Sequence, residues 1–174
     1  MYQYKREPLS NDDANKLINA CKTPREKIIV FTLLDTGMRV SELSNLTKEN
    51  IQWQERRIVV YGKGGPYGKK SKRRIIPMTE RVYALLSAWF ALDDSVGGGK
   101  RVMQWHITKI ANRAGITKPC SPHVLRHTFA VNCIKKNIST RALQQFLGHD
   151  HLTTTEIYLN LSPEDACREF VSKF

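Results

Sequence analysis

The stretch RIVVYGKGGPYGKKSKRRIIP, residues 57–77, decides how this chain reads. Its ends, 57–61 and 74–77, are short runs rich in β-branched residues, which suit a pleated, half-buried surface. Between them lies a glycine-rich segment, and six basic residues fall in or beside it without one acid: Lys63, Lys69, Lys70, Lys72, Arg73 and Arg74. The reading is a β-hairpin with a long basic tip. Single-sign charge at that density suits phosphate contact, against the plainer alternative of a solvated loop.

Outward from the hairpin the period changes to that of helices. On the N-terminal side, Ser10 with Asp13 three residues on marks a helix start, running to about Ala20. Thr23-Pro24 opens a second helix, because proline suits the first helical position. The run IIVFTLL makes this helix largely buried, and Gly37 is placed to end it. A third helix is expected over 40–46. On the C-terminal side helices are expected at 79–91, at 101–114, after Ser121-Pro122, from Ser139 to Gly148, at 153–158 and after Ser162. Residues 93–99, with three consecutive glycines, read as a flexible connector. The fold class is mainly α with a small antiparallel β-hairpin or sheet, in one domain.

Composition narrows the partner. Lys plus Arg is 28 against 16 Asp plus Glu in 174 residues, a formal charge of +12, which points to a polyanion. Hydrophobic content of 41% and charged content of 25% are those of a folded chain rather than a disordered one. The four cysteines are scattered without a CxxC pair, which argues for a reducing compartment and against a disulfide framework. No apolar stretch is long enough for a signal peptide core or a membrane span, so a cytoplasmic protein without membrane attachment is expected.

Four short segments carry the residue types of phosphate chemistry. His123 and Arg126 are three apart and share a helix face, where a guanidinium fork can grip two oxygens and an imidazole can move a proton. The plain alternative is a surface helix with a solvated arginine. Leu147-Gly148-His149 places a histidine after a helix-ending glycine, and Tyr158 follows nine residues later. Their plain alternatives are a histidine satisfying helix-end carbonyls and a half-buried core tyrosine. In Thr36-Gly37-Met38-Arg39-Val40-Ser41-Glu42-Leu43 the glycine turns the chain, Arg39 emerges at a helix start, and Glu42 is placed to hold it. A plain intrahelical ion pair would be worth little there. The hairpin tip, with Lys63 in GKG, is the fourth.

Taken together, TG-x-R-x-SEL, GKG on a hairpin, H-x-x-R, LGH and a tyrosine nine residues on resemble the tyrosine recombinase (integrase) family, Xer-type and phage integrases in particular. The resemblance runs from about Pro8 to Tyr158. It implies the catalytic-domain fold of that family and a site-specific DNA recombinase that cleaves and rejoins duplex DNA through a 3′-phosphotyrosine, with no metal, ATP or other cofactor. Arg39 and Arg126 would clamp the scissile phosphate, Tyr158 would attack, His123 would take its proton and His149 would hydrogen-bond the phosphate. Lys63 would protonate the leaving 5′ oxygen and Glu42 would support the site. Lys69, Lys70, Lys72, Arg73 and Arg74 would contact DNA. Because the hairpin tip is longer than the family's GKG-x-K-x-R-x-x-P, Lys72 stands beside Lys63 as a candidate acid.

The resemblance also implies a single catalytic domain over 1–174, the family's N-terminal core-binding domain being absent from it, and a tail at 159–174 exchanged between protomers. The expected partners are duplex DNA carrying a specific site and three further copies on it, with a monomer in free solution. Three rival readings stand beside it. A non-catalytic DNA-binding protein leaves the joint presence of Tyr158, the arginines and the histidines unexplained. A type IB topoisomerase shares the phosphotyrosine chemistry, but LGH and the compact spacing favour a recombinase. A zinc site from Cys120, His123, His127 and Cys133 has spacings foreign to structural zinc frameworks.

Overall fold

The structure, a computed structural model, describes residues 7–61 and 73–148 together with Val171. Seven helices and three strands follow in the order α1 (Asn11–Asn19), α2 (Pro24–Thr36), α3 (Val40–Ser44), β1 (Ile51–Gln52), β2 (Arg57–Tyr61), β3 (Arg73–Pro77), α4 (Glu80–Phe90), α5 (Gly99–Arg113), α6 (Pro122–Lys135) and α7 (Thr140–Leu147). The mainly α fold with a small antiparallel sheet is therefore as expected. The helix starts follow their capping chemistry: the Ser10, Thr23, Thr79, Ser121 and Ser139 hydroxyls each accept a backbone N–H three residues on.

Helix α2 is the centre of the molecule. Ile28, Ile29, Val30 and Leu33 are fully buried, and the helix packs against α6, α4 and α5. An apolar run without a polar face leaves a helix no exposed side, and this one is surrounded. The sheet lies to one side in the order β1-β2-β3, with Ile58 opposite Ile76 and Val60 opposite Arg74. Period-2 alternation sends Ile58, Val60 and Ile76 into the core. Strand β1 was not expected: two residues are too short for any alternation to register. A smaller cluster of Phe129, Ala130, Leu143 and Leu147 joins α6 to α7.

Residues 93–99 differ from the expected flexible connector. The Val96 N–H donates to Leu46 O at 2.9 Å, Lys48 N–H to Asp94 O at 3.0 Å, and Trp89 Nε1–H to Ser95 O at 3.0 Å. Arg25 Nη2 donates to Val96 O at 3.0 Å, and Val96 is buried. Gly97, Gly98 and Gly99 all take positive φ, a run of three that side-chain-bearing residues rarely adopt. The glycines make a defined turn that delivers α5 against α3.

Candidate active site

The site is built around the corner between α2 and α3. Gly37 ends α2 in the left-handed conformation at φ +60°, and its N–H donates to Leu33 O at 3.2 Å. A Cβ there would stand 2.2 Å from Phe129 Cδ1 and 3.0 Å from Leu147 Cδ2, so the corner is closed by α6 and α7 in direct contact with the backbone. Met38 then plugs the core with no exposed surface, and Arg39 emerges as the N-cap of α3 with extended backbone. The Glu42 carboxylate accepts the Arg39 backbone N–H at 2.6 Å and Arg39 Nη1 at 3.1 Å. Arg39 remains 43% exposed by its side chain, and Glu42 only 7%.

Glu42 has a second, stronger partner. Arg74 of β3 lays its fork on the carboxylate, Nη1 to Oε1 at 2.7 Å and Nη2 to Oε2 at 2.6 Å, while Nε donates to Phe146 O at 2.9 Å. Burial alone would push the Glu42 carboxyl up; the hydrogen bonds and charge of Arg74, then those of Arg39, outweigh it and hold the group ionised, below its usual range. The plain reading of Arg39–Glu42 as an isolated surface pair does not describe this cluster. Nor is Arg74 a solvated loop residue: its side chain is 8% exposed, its fork lies on Glu42 and its Nε–H donates to Phe146 O. The sequence signal that points to this is phase. Arg74 stands two residues before Ile76 on the inward face of β3, but Arg73-Arg74-Ile75-Ile76 has matched pairs at successive positions and leaves that phase open.

Arg126 comes from α6, whose first turn is fixed by Pro122 and the Ser121 hydroxyl. It is 7% exposed, and so is no solvated surface arginine. Nη1 donates to Gly37 O at 2.5 Å and Nη2 to Leu147 O at 2.7 Å. One guanidinium thus closes the C-terminal carbonyls of two helices, groups that those helices cannot satisfy themselves. His123, one turn earlier, is exposed. Burial depresses the pKa of neighbouring His127, which lies on the interior side of the same helix.

These elements border an open groove of about 1370 Å³, lined by Arg39, Arg73, Arg74, Lys100 and Arg141 with Gln144 and Gln145, whose single acid is the arginine-paired Glu42. The groove suits a polyanion. Lys100 and Arg141 carried no motif and were not singled out in the sequence. Arg39, Glu42 and Arg126 of the predicted set are brought together around Gly37. Lys63, Lys69, Lys70, Lys72, His149 and Tyr158, and the tail from 159, lie outside the described residues, Val171 excepted, which is exposed. Among the described residues no three His, Cys, Asp or Glu side chains are grouped to hold a metal ion, and no helix is long and apolar enough to cross a membrane.

Comparison with known proteins gives the geometry its context. Residues 7–165 match the model of the phage integrase family. Over 155 residues the chain is 37% identical to tyrosine recombinase XerD of Shewanella oneidensis, covering 79% of this chain and 50% of that protein. It is 30% identical over 172 residues to tyrosine recombinase XerA of Thermococcus onnurineus, covering 90% of this chain and 58% of the relative. The chain thus spans about half the length of the curated relatives it matches. The crystal structure of XerA recombinase superposes with a TM-score of 0.81 at 32% identity, over 99% of this chain and 66% of that one. The Tn1549 transposon integrase in complex with transposon right end DNA shares the fold, with a TM-score of 0.75 at 20% identity over 99% of this chain and 67% of that one.

Proposed function

Because the chain belongs to the phage integrase family of tyrosine recombinases, we propose that it is the catalytic part of a site-specific DNA recombinase that cuts and reseals duplex DNA. The Tyr158 hydroxyl oxygen attacks the scissile phosphorus, the bond to the 5′ oxygen breaks, and a 3′-phosphotyrosine forms. His123 takes the tyrosine proton, and Lys63, or Lys72 across the hairpin, gives one to the departing 5′ oxygen. Attack by a 5′-hydroxyl from another strand runs the same steps in reverse. One phosphodiester is exchanged for another, so the step conserves its energy and needs no nucleotide.

The observation that carries this reading is the pairing of Arg126 with the carbonyl of Gly37, 89 residues away, two positions before Arg39. Arg126 is thereby fixed at the turn from which Arg39 emerges, and Arg39 borders a groove whose charged lining is cationic apart from the paired Glu42. A phosphodiester approached by a nucleophile needs its charge offset before reaction, and preorganised donors do this at low reorganisation cost. A tyrosine with an ordinary pKa of about 10 also needs such a field to ionise near neutral pH. His149 adds a hydrogen bond to the phosphate. The partner is duplex DNA with a specific site, on which four copies assemble through exchange of the 159–174 tail, while the free protein is a monomer of one catalytic domain. Such chemistry takes place in the cytoplasm, on the nucleoid.

The experiment incubates the chain with a library of nicked duplexes of randomised core, denatures the mixture, and sequences both the covalently held DNA and the peptide that holds it. Attachment at Tyr158, lost in Tyr158→Phe with DNA binding retained, is expected. Attachment at Tyr2, Tyr4, Tyr61, Tyr67 or Tyr83, or none by the wild-type chain, overturns the assignment.

A further inference from the structure

Two arginines compete here for one buried carboxylate, and they do not share it equally. Arg74 makes the symmetric fork, at 2.7 and 2.6 Å. Arg39 has one side-chain bond, at 3.1 Å, longer than is usual between charged groups, and is tied to Glu42 chiefly through its backbone N–H. Among the described residues this is the only hydrogen bond of the Arg39 guanidinium; both arginines line the groove, but only Arg74 has its fork engaged. Glu42 therefore fixes where Arg39 starts while Arg74 absorbs the charge that would otherwise draw the guanidinium in. The third donor of Arg74 holds Phe146 O, at the end of α7 from which the chain runs through Gly148 to His149. A Cβ at 148 would stand 2.9 Å from Arg74 Cδ, so the glycine leaves room for this arginine.

We propose that Arg74 is a positioning residue for phosphoryl transfer: it occupies Glu42 so that the Arg39 guanidinium is left for the phosphate, and it ties β3 to the end of α7. The chemical consequence rests on the recombinase reading; the competition for Glu42 does not. A buried carboxylate stripped of its main partner turns to the next cation, and that cation is Arg39. Removing Arg74 alone should disable Arg39, whereas removing the carboxylate as well should release it.

The test compares the full wild-type chain with Arg74→Gln, Glu42→Gln and the double variant on the nicked duplex selected above. Arg74→Gln should lower the rate of covalent capture on the order of a hundredfold, as expected when a clamp is misplaced by about an ångström. DNA affinity and its salt dependence should be unchanged. The double variant should recover about tenfold of that loss, a rescue that simple structural damage does not give. A salt slope reduced by about 0.9 in Arg74→Gln would make Arg74 a phosphate contact, and a double variant no faster than the single one would remove the competition; either overturns the proposal. Should Arg74→Gln not fold, Arg74→Lys, which keeps a cation on Glu42 without the fork, should capture DNA within about tenfold of the wild-type rate, and a loss on the order of a hundredfold there would overturn the competition.

A readout without DNA separates the two readings. The Arg39 Nε–H signal in nitrogen-15-labelled protein should gain protection from solvent exchange in Arg74→Gln and lose it in the double variant. If the wild-type chain captures no DNA but this signal responds, the recombinase reading fails and the positioning of Arg39 stands. A signal indifferent to both substitutions overturns it.

Discussion

Gly37→Ala is the substitution whose cost the structure sets most directly. Two separate penalties meet at this residue. The left-handed backbone, φ +60°, costs a residue with a Cβ about 1–2 kcal/mol. The new methyl would lie 2.2 and 2.8 Å from Phe129 Cδ1 and Cε1 and 3.0 Å from Leu147 Cδ2. Those atoms belong to a packed cluster, and forcing an extra carbon into such a core costs about 1–3 kcal/mol. The sum centres at about 3.5 kcal/mol, which for a chain of this size lowers Tm by about 7–14 °C. Urea unfolding followed by circular dichroism should show a lower midpoint at unchanged m, because the surface exposed on unfolding barely changes. Trimming the obstructing ring should separate the two parts: Phe129→Leu should cost less in the Gly37→Ala background than alone, with the backbone share left uncorrected. A total loss under about 1 kcal/mol would refute the reasoning, since the backbone penalty alone reaches that value. The Gly37 carbonyl also holds Arg126, so cleavage should fall further than the unfolded fraction explains.

Glu26 gives a pH prediction at the opposite corner of the molecule. Hydrogen bonds from Arg113 hold its carboxyl at about 2, from an ordinary 4.5, against the effect of burial and with help from the Lys22 N–H. A depressed folded pKa stabilises the protein above about 4.5, and that stabilisation is lost as pH falls towards about 2. Glu26→Gln should therefore lower Tm at neutral pH and flatten its decline across that window; an unchanged acid limb in calorimetry would contradict the pairing. Burial pushes the thiols of Cys21, Cys120 and Cys133 up to about 11. In a Cys167→Ser background they should react with iodoacetamide at pH 8 on the order of a hundredfold more slowly than a free thiol of pKa about 8.5, and labelling at the free-thiol rate would count against that burial. Replacing the bridging 5′ oxygen with sulfur should rescue Lys63→Ala, because a thiolate leaves without a proton, but should not rescue Arg39→Ala. Rescue confined to Lys72→Ala would move the acid across the hairpin.

What was legible in the sequence follows from how local each signal is. Helix starts rest on one hydroxyl and one N–H three residues on, so Ser10, Thr23, Ser121 and Ser139 were readable without any tertiary knowledge. Gly37 as a stop and Arg39 as the residue after the turn were equally local. Burial of Arg126 was not, because its partners lie at 37 and 147, and a three-residue spacing is the same in a solvated helix and in one that buries a face. Arg74 has a partner that was not legible for the same reason. Its neighbours in sequence are cations, which suggested phosphate, but its neighbour in space is Glu42. The connector at 93–99 was read from glycine content, which reports what the backbone is able to do; the hydrogen bonds from Lys48, Arg25 and Trp89, and the one to Leu46, report what it does.

The register of β2 against β3 bears on how such a hairpin can vary. Tyr61 and Arg73 are the last paired residues, so whatever the length of the segment at 62–72, its two ends leave the sheet side by side. Closing a loop whose ends are already fixed costs little more as it lengthens, about 0.6 kcal/mol for each doubling. Lys63 follows the first rim by two residues and Lys72 adjoins the second, so residues added between them need displace neither. Evolution can therefore insert or delete between the two rims almost without thermodynamic consequence, while the bonds of Arg74 to Glu42 stay as they are.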